Sequence, residues 1–418
     1  MTDRDRKTDG SGEPADADAT AADATAADAQ TADATGAAAP KVVEEGATLP
    51  GGSGWLPSWI ARYRVPIGLV LVVLLLRPVV GLPFMLGFES IATTILIVVL
   101  FVAAFNLLFG YTGLLSFGHA MFFGFGMYGA AIAMSGQGPA PELPFIAGAG
   151  IGIGVAALVA YSLGRLTVQR GEIYFAFLTL AAAQAVYFVA NRDPLGLTGG
   201  SNGISQGAQP PWVESFRGEL RVTLVDWPAP VLDAAGWLDD WYLLVGVVFL
   251  LSMGALWQIV RSPFGRSLIA IRENEALARA MGIDTARYKV WAFVFSGSFS
   301  AVAGALMAVN NHGASQEWLS VFTSGDTVLM AVLGGVHYFF GPVAGVFLWE
   351  FAADYLTDFQ VLDLGFVAVD ISRELSHWKF LLGAVFVVVV LVAPNDGIWG
   401  YLTKYASRAR ERITEVFA

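Results

Sequence analysis

The chain has 418 residues, 56% of them hydrophobic, with a mean hydropathy of +0.60, against an apolar share of about 45–50% in ordinary soluble domains. That excludes a soluble globular protein and leaves a polytopic membrane protein. The lack of cysteine removes disulfides, thiolate nucleophiles and cysteine-based metal sites, and the four histidines, His119, His312, His337 and His377, lack ligand spacing. The formal charge of −11 is lopsided, since residues 1–60 hold eleven acidic and four basic side chains.

Residues 1–60 form a low-complexity tail with an Ala-Asp-Ala-Thr repeat between Ala17 and Thr35, too poor in large apolar side chains to collapse. A disordered, acidic, cytoplasmic tail is expected. Such a tail stays solvated in concentrated salt, which suits a halophilic archaeal source. It does not resemble a signal peptide, because the first apolar run begins only near Val65.

That run, 65–80, is closed by Arg77 and preceded by Arg62 and Arg64, which hold its start in the cytoplasm. A second span is expected at 91–109, with Asn106 as its one strongly polar residue. The stretch 110–134 carries glycines at 110, 113, 118, 124, 126 and 129, which favour a broken or closely packed helix. In the next span, 145–163, Gly148, Gly150, Gly152 and Gly154 suggest a small-residue ridge for helix packing. Arg165 and Arg170 mark a cytoplasmic turn, and 173–190, which contains Gln184, returns outward. Residues 191–240 hold seven acidic and three basic residues and several turn signals, as expected of an external loop.

The span 241–260 leads into a basic loop, 261–289, with Arg261, Arg266, Arg272, Arg279, Arg287 and Lys289. Ser262 and Pro263 offer a cap and a first-turn proline, and Gly282 a stop, so one or two short helices are expected between Phe264 and Met281. Glu275 lies four residues from Arg279 and three from Arg272, which places all three on one solvated face. A further span, 290–309, runs outward, and 326–353 is interrupted by Gly334-Gly335 and Gly341-Pro342, so two half-helices or a bent span are expected. The last span, 380–394, precedes a basic C-terminal segment, 404–418. Both termini are expected in the cytoplasm. The fold class is therefore all-α and polytopic, with about ten transmembrane or re-entrant segments and broken Gly-rich helices across 61–403.

No nucleophile elbow, paired metal-binding histidines, Walker loop or dinucleotide fingerprint is present. No catalytic residue, cofactor, metal or nucleic-acid partner is expected, and an ATP-driven step needs a separate subunit. Ionisable residues within apolar spans are few, namely His119, Glu172, Asp326, Glu350 and Asp354, whereas ion-coupled carriers place carboxylates or histidines there. Polar residues on apolar helices give the candidate translocation path: Asn106, Thr112, Ser116, His119 and Gln184. An ATP-powered importer and an ion-coupled secondary carrier or channel both remain open on the residues alone.

The segment GYTGLLSFGHAMFFGFGMYGA, residues 174–187 followed by LTGGSNGI, the loop 261–289 and VLGGVHYFFGPVAGVF occur in that order. Together they resemble the branched-chain amino acid permeases, the membrane subunits of ABC importers of the LivM type. The chain departs from the importers' Glu-Ala-Ala pattern at Leu277, and Gly282 comes one residue late. The resemblance implies a second homologous permease, two ATPases, an extracytoplasmic substrate-binding protein and a bilayer, here the plasma membrane. It also implies that Arg272, Glu273, Asn274, Glu275, Ala276, Arg279 and Gly282 couple to the ATPase. The substrate it implies is a branched-chain amino acid, with urea, short amides or another amino acid as alternatives.

Overall fold

The computed structural model describes residues 64–81, 89–136, 140–205 and 240–358, with short pieces between 361 and 405. The tail 1–60, residues 206–239 of the external loop, much of the span expected at 380–394 and residues 406–418 lie outside the described residues. Among the described residues, eleven α-helices follow in order through residue 358: α1 (Arg64–Val80), α2 (Glu89–Thr112), α3 (His119–Ser135), α4 (Phe145–Thr167), α5 (Glu172–Arg192), α6 (Asp240–Arg261), α7 (Pro263–Glu273), α8 (Glu275–Ala280), α9 (Thr285–Asn310), α10 (Val321–Gly334) and α11 (Gly341–Asp358). Two small antiparallel ribbons interrupt the all-α pattern, β1 (Ile204–Ser205) with β2 (Gly313–Ala314), and β3 (Val361–Asp363) with β4 (Ala368–Asp370). Among the described residues five helices are long and apolar enough to cross a membrane: Ile91–Thr112, Phe145–Arg170, Glu172–Arg192, Trp241–Arg261 and Thr285–Asn310.

Helix α2 is apolar on every face, and a helix of that kind belongs at the centre of a bundle. Its side chains from Ala92 to Leu108 are almost all buried, and α3 and most of α9 share that interior. Helices α4, α5 and α6 are peripheral and leave Ile146, Leu158, Ile173, Phe177 and Leu251 exposed, an apolar outer surface of the kind a bilayer covers.

Glycine sets how closely the central helices approach. A Cβ on Gly126 would stand 1.8 Å from the Ala301 carbonyl oxygen, and one on Gly304 1.9 Å from that of Phe123, so α3 and α9 touch backbone to backbone. The break expected in 110–134 is confined to 113–118; Gly124, Gly126 and Gly129 lie inside the continuous helix α3. The four-glycine ridge on α4 is corrected as well. Gly148 and Gly152 press on α3, while Gly150 and Gly154 face open space, because successive even positions on a helix lie about 200° apart and cannot share a face.

The interrupted segment forms a hairpin as expected, with α10 and α11 joined by 335–340 and closed by Gly334 against the Gly341 carbonyl and Gly345 against that of Met330. Gly68 near the start of α1 abuts Phe340, and Gly397 abuts Gly335. The start of α1, the α10–α11 turn and residues 396–405 therefore lie at the same end of the bundle as α7 and α8, which reach that turn through Arg272. At the other end the β1–β2 ribbon joins the segment after α5 to the end of α9.

Candidate functional site

Three side-chain caps shape the loop between α6 and α9. Ser262 Oγ accepts from the Gly265 amide and Pro263 opens α7. Asn274 leaves the helical conformation, ending α7, and its Oδ1 accepts from the Leu277 amide at 2.9 Å to start α8. Gly282 adopts φ +85°, the left-handed turn that stops α8, and Asp284 Oδ1 then caps α9 through the Arg287 amide at 3.1 Å.

The cap at Asn274 overturns the expected single face of Arg272, Glu275 and Arg279. With the helix broken between them, Arg272 and Glu275 lie on separate helices and lose the three-residue relation. Arg272, its side chain 14% exposed, turns inward, where Nη1 donates to the Gly110 carbonyl and lies 3.1 Å from His337 Nδ1, while Nη2 binds Glu273 at 2.7 Å. Glu275 also turns inward. Its Oε2 accepts from Lys289 Nζ at 2.8 Å, with the Lys289 side chain only 4% exposed, and its Oε1 accepts from Arg279 at 3.0 Å. Burial alone would raise the Glu275 carboxyl, but hydrogen bonds from Lys289 and Thr285 and the charges of Lys289 and Arg279 outweigh it and hold the group below its ordinary range. Burial first, and then the Arg272 charge, holds the His337 imidazole below its ordinary range.

The outward face carries an apolar patch: Ala276, Ala280 and Gly282 with Leu277, 60% exposed, and Met281, 77% exposed. Glu273, Asn274 and Arg279 border this patch. Leu277 and Met281 were missed from sequence, although their four-residue spacing among alanines was the available signal. Met281 and Gly282 continue into a groove of about 900 Å³ between α6, α7 and α9, whose walls include Ile259, Phe264, Tyr288, Trp291 and Phe295.

The five candidates for the translocation path are not brought together. Asn106, Thr112, Ser116 and His119 are buried in the packed interior, and Gln184 is exposed on peripheral α5. Thr112 donates its hydroxyl to the Leu108 carbonyl, and Ser116 Oγ accepts from the Gly118 amide at 3.3 Å. His119 Nε2 lies 2.7 Å from Ser296 Oγ, which donates to the Ala104 carbonyl at 2.5 Å, so α2, α3 and α9 are tied at one point. Phe122 and Phe123 pack against Phe293 and Phe101. Among the described residues no group of three or more histidines and carboxylates could hold a metal.

The fold defines a multi-pass integral membrane protein that presents a capped helix pair at one end of its bundle. Residues 87–390 match the family described as the permease component of branched-chain amino acid transport systems, and the chain belongs to that family. It is 28% identical over 290 residues to the high-affinity branched-chain amino acid transport system permease protein LivM of Salmonella typhimurium, covering 67% of each chain. To the LivM protein of Escherichia coli it is 28% identical over 298 residues, 69% of this chain and 68% of that one. A probable LivM permease from Methanocaldococcus jannaschii is 24% identical over 326 residues, 70% of this chain and 87% of the other. No solved structure matches.

Proposed function

We propose that this chain is the membrane-spanning permease subunit of an ATP-binding cassette importer that moves branched-chain amino acids across the plasma membrane. It works beside a second homologous permease, two ATPase subunits and an extracytoplasmic substrate-binding protein, with α7 and α8 in the cytoplasm. The observation that carries this reading is the built form of the α7–α8 pair. Caps and inward ion pairs hold it to the bundle, and its small apolar face of Ala276, Leu277, Ala280, Met281 and Gly282 is left outward. Small side chains let a partner cleft approach closely, and two apolar anchors supply binding energy. The ATPase contact is assigned to this face together with Glu273, Asn274 and Arg279, while Arg272 and Glu275 act from behind it.

The translocation path is assigned to the broken segment 113–118 and the start of α3, where Ser116 and His119 sit. Non-helical backbone at membrane depth is tolerated only against protein or a water-filled cavity. In the conformation described here these side chains are packed, so opening the path requires α3 to move relative to α9.

Co-purification with two ABC ATPase subunits from the same source tests the reading. Wild type should bring down both, and Leu277→Glu with Met281→Lys should lose them while still inserting in the membrane. Solute uptake by the chain alone in ATP-free liposomes would instead favour an ion-coupled carrier or a channel. Calorimetry on the binding protein tests the substrate, with leucine, isoleucine and valine expected to bind and urea not.

A further inference from the structure

Helix α2 ends at Thr112 because Gly113 takes φ +76°, and its last carbonyls lose their intrahelical donors. One of them, Gly110 O, accepts from the Arg272 guanidinium, a cation at a helix C-terminus and hence in its favourable place. Neither glycine has space to spare at this junction. A Cβ on Gly113 would lie 3.1 Å from Arg272 Cγ, and one on Gly110 would lie 2.3 Å from the Val336 carbonyl oxygen. The same guanidinium lies 3.1 Å from His337 Nδ1 in the α10–α11 turn. One side chain on α7 thus joins the end of α2, the start of the broken segment and the hairpin turn.

The contacts close into a ring. From Gly113 the chain runs through Ser116 to His119, which binds Ser296 on α9; further toward the start of α9, Lys289 binds Glu275 on α8, and α8 continues from α7. We infer that Arg272 is a positioning residue that passes displacement of the α7–α8 pair to segment 113–118, touching neither ATPase nor substrate. A planar fork with several fixed donors suits this better than an ammonium, because it can hold Gly110, His337 and Glu273 together. The inference rests on the importer function proposed above and adds which internal contact carries the motion.

The test uses the reconstituted importer in liposomes. Arg272→Met should still assemble with the ATPases and hydrolyse ATP, but solute moved per ATP should fall roughly tenfold, within the about 5–150-fold span of allosteric coupling. Arg272→Lys should recover part of the loss through the Gly110 carbonyl, a rescue that a purely structural role does not predict. In the naturally cysteine-free chain, spin labels at introduced cysteines Ala270→Cys and Leu115→Cys provide a measurement that leaves Arg272 in place. Their separation should stay single and narrow with and without ATP. Wild-type stoichiometry in Arg272→Met, or a label distance that changes with ATP, would overturn the inference while leaving the importer function standing. A wild-type chain that does not assemble with ATPases would overturn both, and is told apart because the wild type itself is then inactive.

Discussion

At the end of the bundle carrying α7 and α8, charged side chains tie separate elements together: Arg272 on α7 reaches the Gly110 carbonyl and His337, and Glu275 on α8 pairs with Lys289 on α9. At the opposite end the polar contacts are local or neutral. Asp193, in the left-handed conformation at the end of α5, accepts from the amides of Leu197, Thr198 and Gly199 at 2.6, 2.9 and 3.1 Å, all within six residues. The longer ties there are Trp241 Nε1 to Asn310 Oδ1 and Asn310 Nδ2 to Thr94, each 3.2 Å, and the two-residue ribbon β1–β2. The contrast teaches where motion can be passed on. Charged side chains that bridge separate elements move those elements together, whereas a carboxylate satisfied by its own loop rigidifies only that loop.

The largest way to break this contrast is at Glu275. Glu275→Lys sets a third cation beside buried Lys289 and Arg279 and should destabilise the protein by about 2 kcal/mol, the cost of breaking a buried pair discounted for the partial exposure of Glu275. Glu275→Gln, which keeps a hydrogen-bond acceptor, should cost about half as much. Melting in detergent measures both, and an unchanged midpoint for Glu275→Lys would show that the pair contributes nothing.

At the opposite end Gly203 has φ +68°, and a Cβ there would lie 2.3 Å from the Ala314 carbonyl oxygen. Gly203→Ala should cost about 1–3 kcal/mol from backbone strain and clash. It should speed hydrogen exchange at 200–205 and 313–315 and leave α7–α8 protected; exchange that spreads to α7–α8 would end the contrast. Asn310→Leu, which removes the neutral ties to Trp241 and Thr94, should cost about 1 kcal/mol, read as a small loss of melting temperature with transport retained.

The smallest effect is in pH. His337 is lowered by burial and by Arg272, with Glu273 and Asp396 opposing. The unfolded chain therefore binds its proton more readily, so stability rises with pH; the contribution is complete above about pH 6.5 and declines as pH falls below it. The amides of residues 197–199, that of Thr198 foremost, hold the Asp193 carboxyl below its ordinary range. Its contribution is complete above the ordinary carboxylate value of about 3.9 and is lost only as pH falls through the lowered one. Between about pH 6.5 and 5, hydrogen exchange corrected for its intrinsic rate should thus loosen α7 and the α10–α11 turn while 193–205 holds. His337→Gln should abolish that difference, and simultaneous loosening of both ends would contradict the assignment.

Much of this protein was legible in its sequence because its signals are local. Apolar runs of membrane-spanning length, the caps at Ser262 and Gly282 and the breaks at Gly334 and Gly341 each depend on a few neighbouring residues, and the structure has the caps, the breaks and the long helices expected at 91–109, 145–163, 173–190, 241–260 and 290–309. Other features were beyond that reach. Asn274 could as well sit within one helix as cap a second, and only its extended conformation, φ −157°, separated Arg272 from Glu275 and let those two side chains turn inward. The glycines make the same point. Gly126 and Gly154 look alike in sequence, yet one meets the α9 backbone and the other meets nothing within 4 Å. Sequence by itself determined that this chain is a helical membrane protein with a polar helix pair at one end, because hydropathy and capping are properties of adjacent residues. The tertiary structure alone decided which glycines are contacts, which charges face a partner and which polar side chains are buried, because each depends on a neighbour supplied from far along the chain.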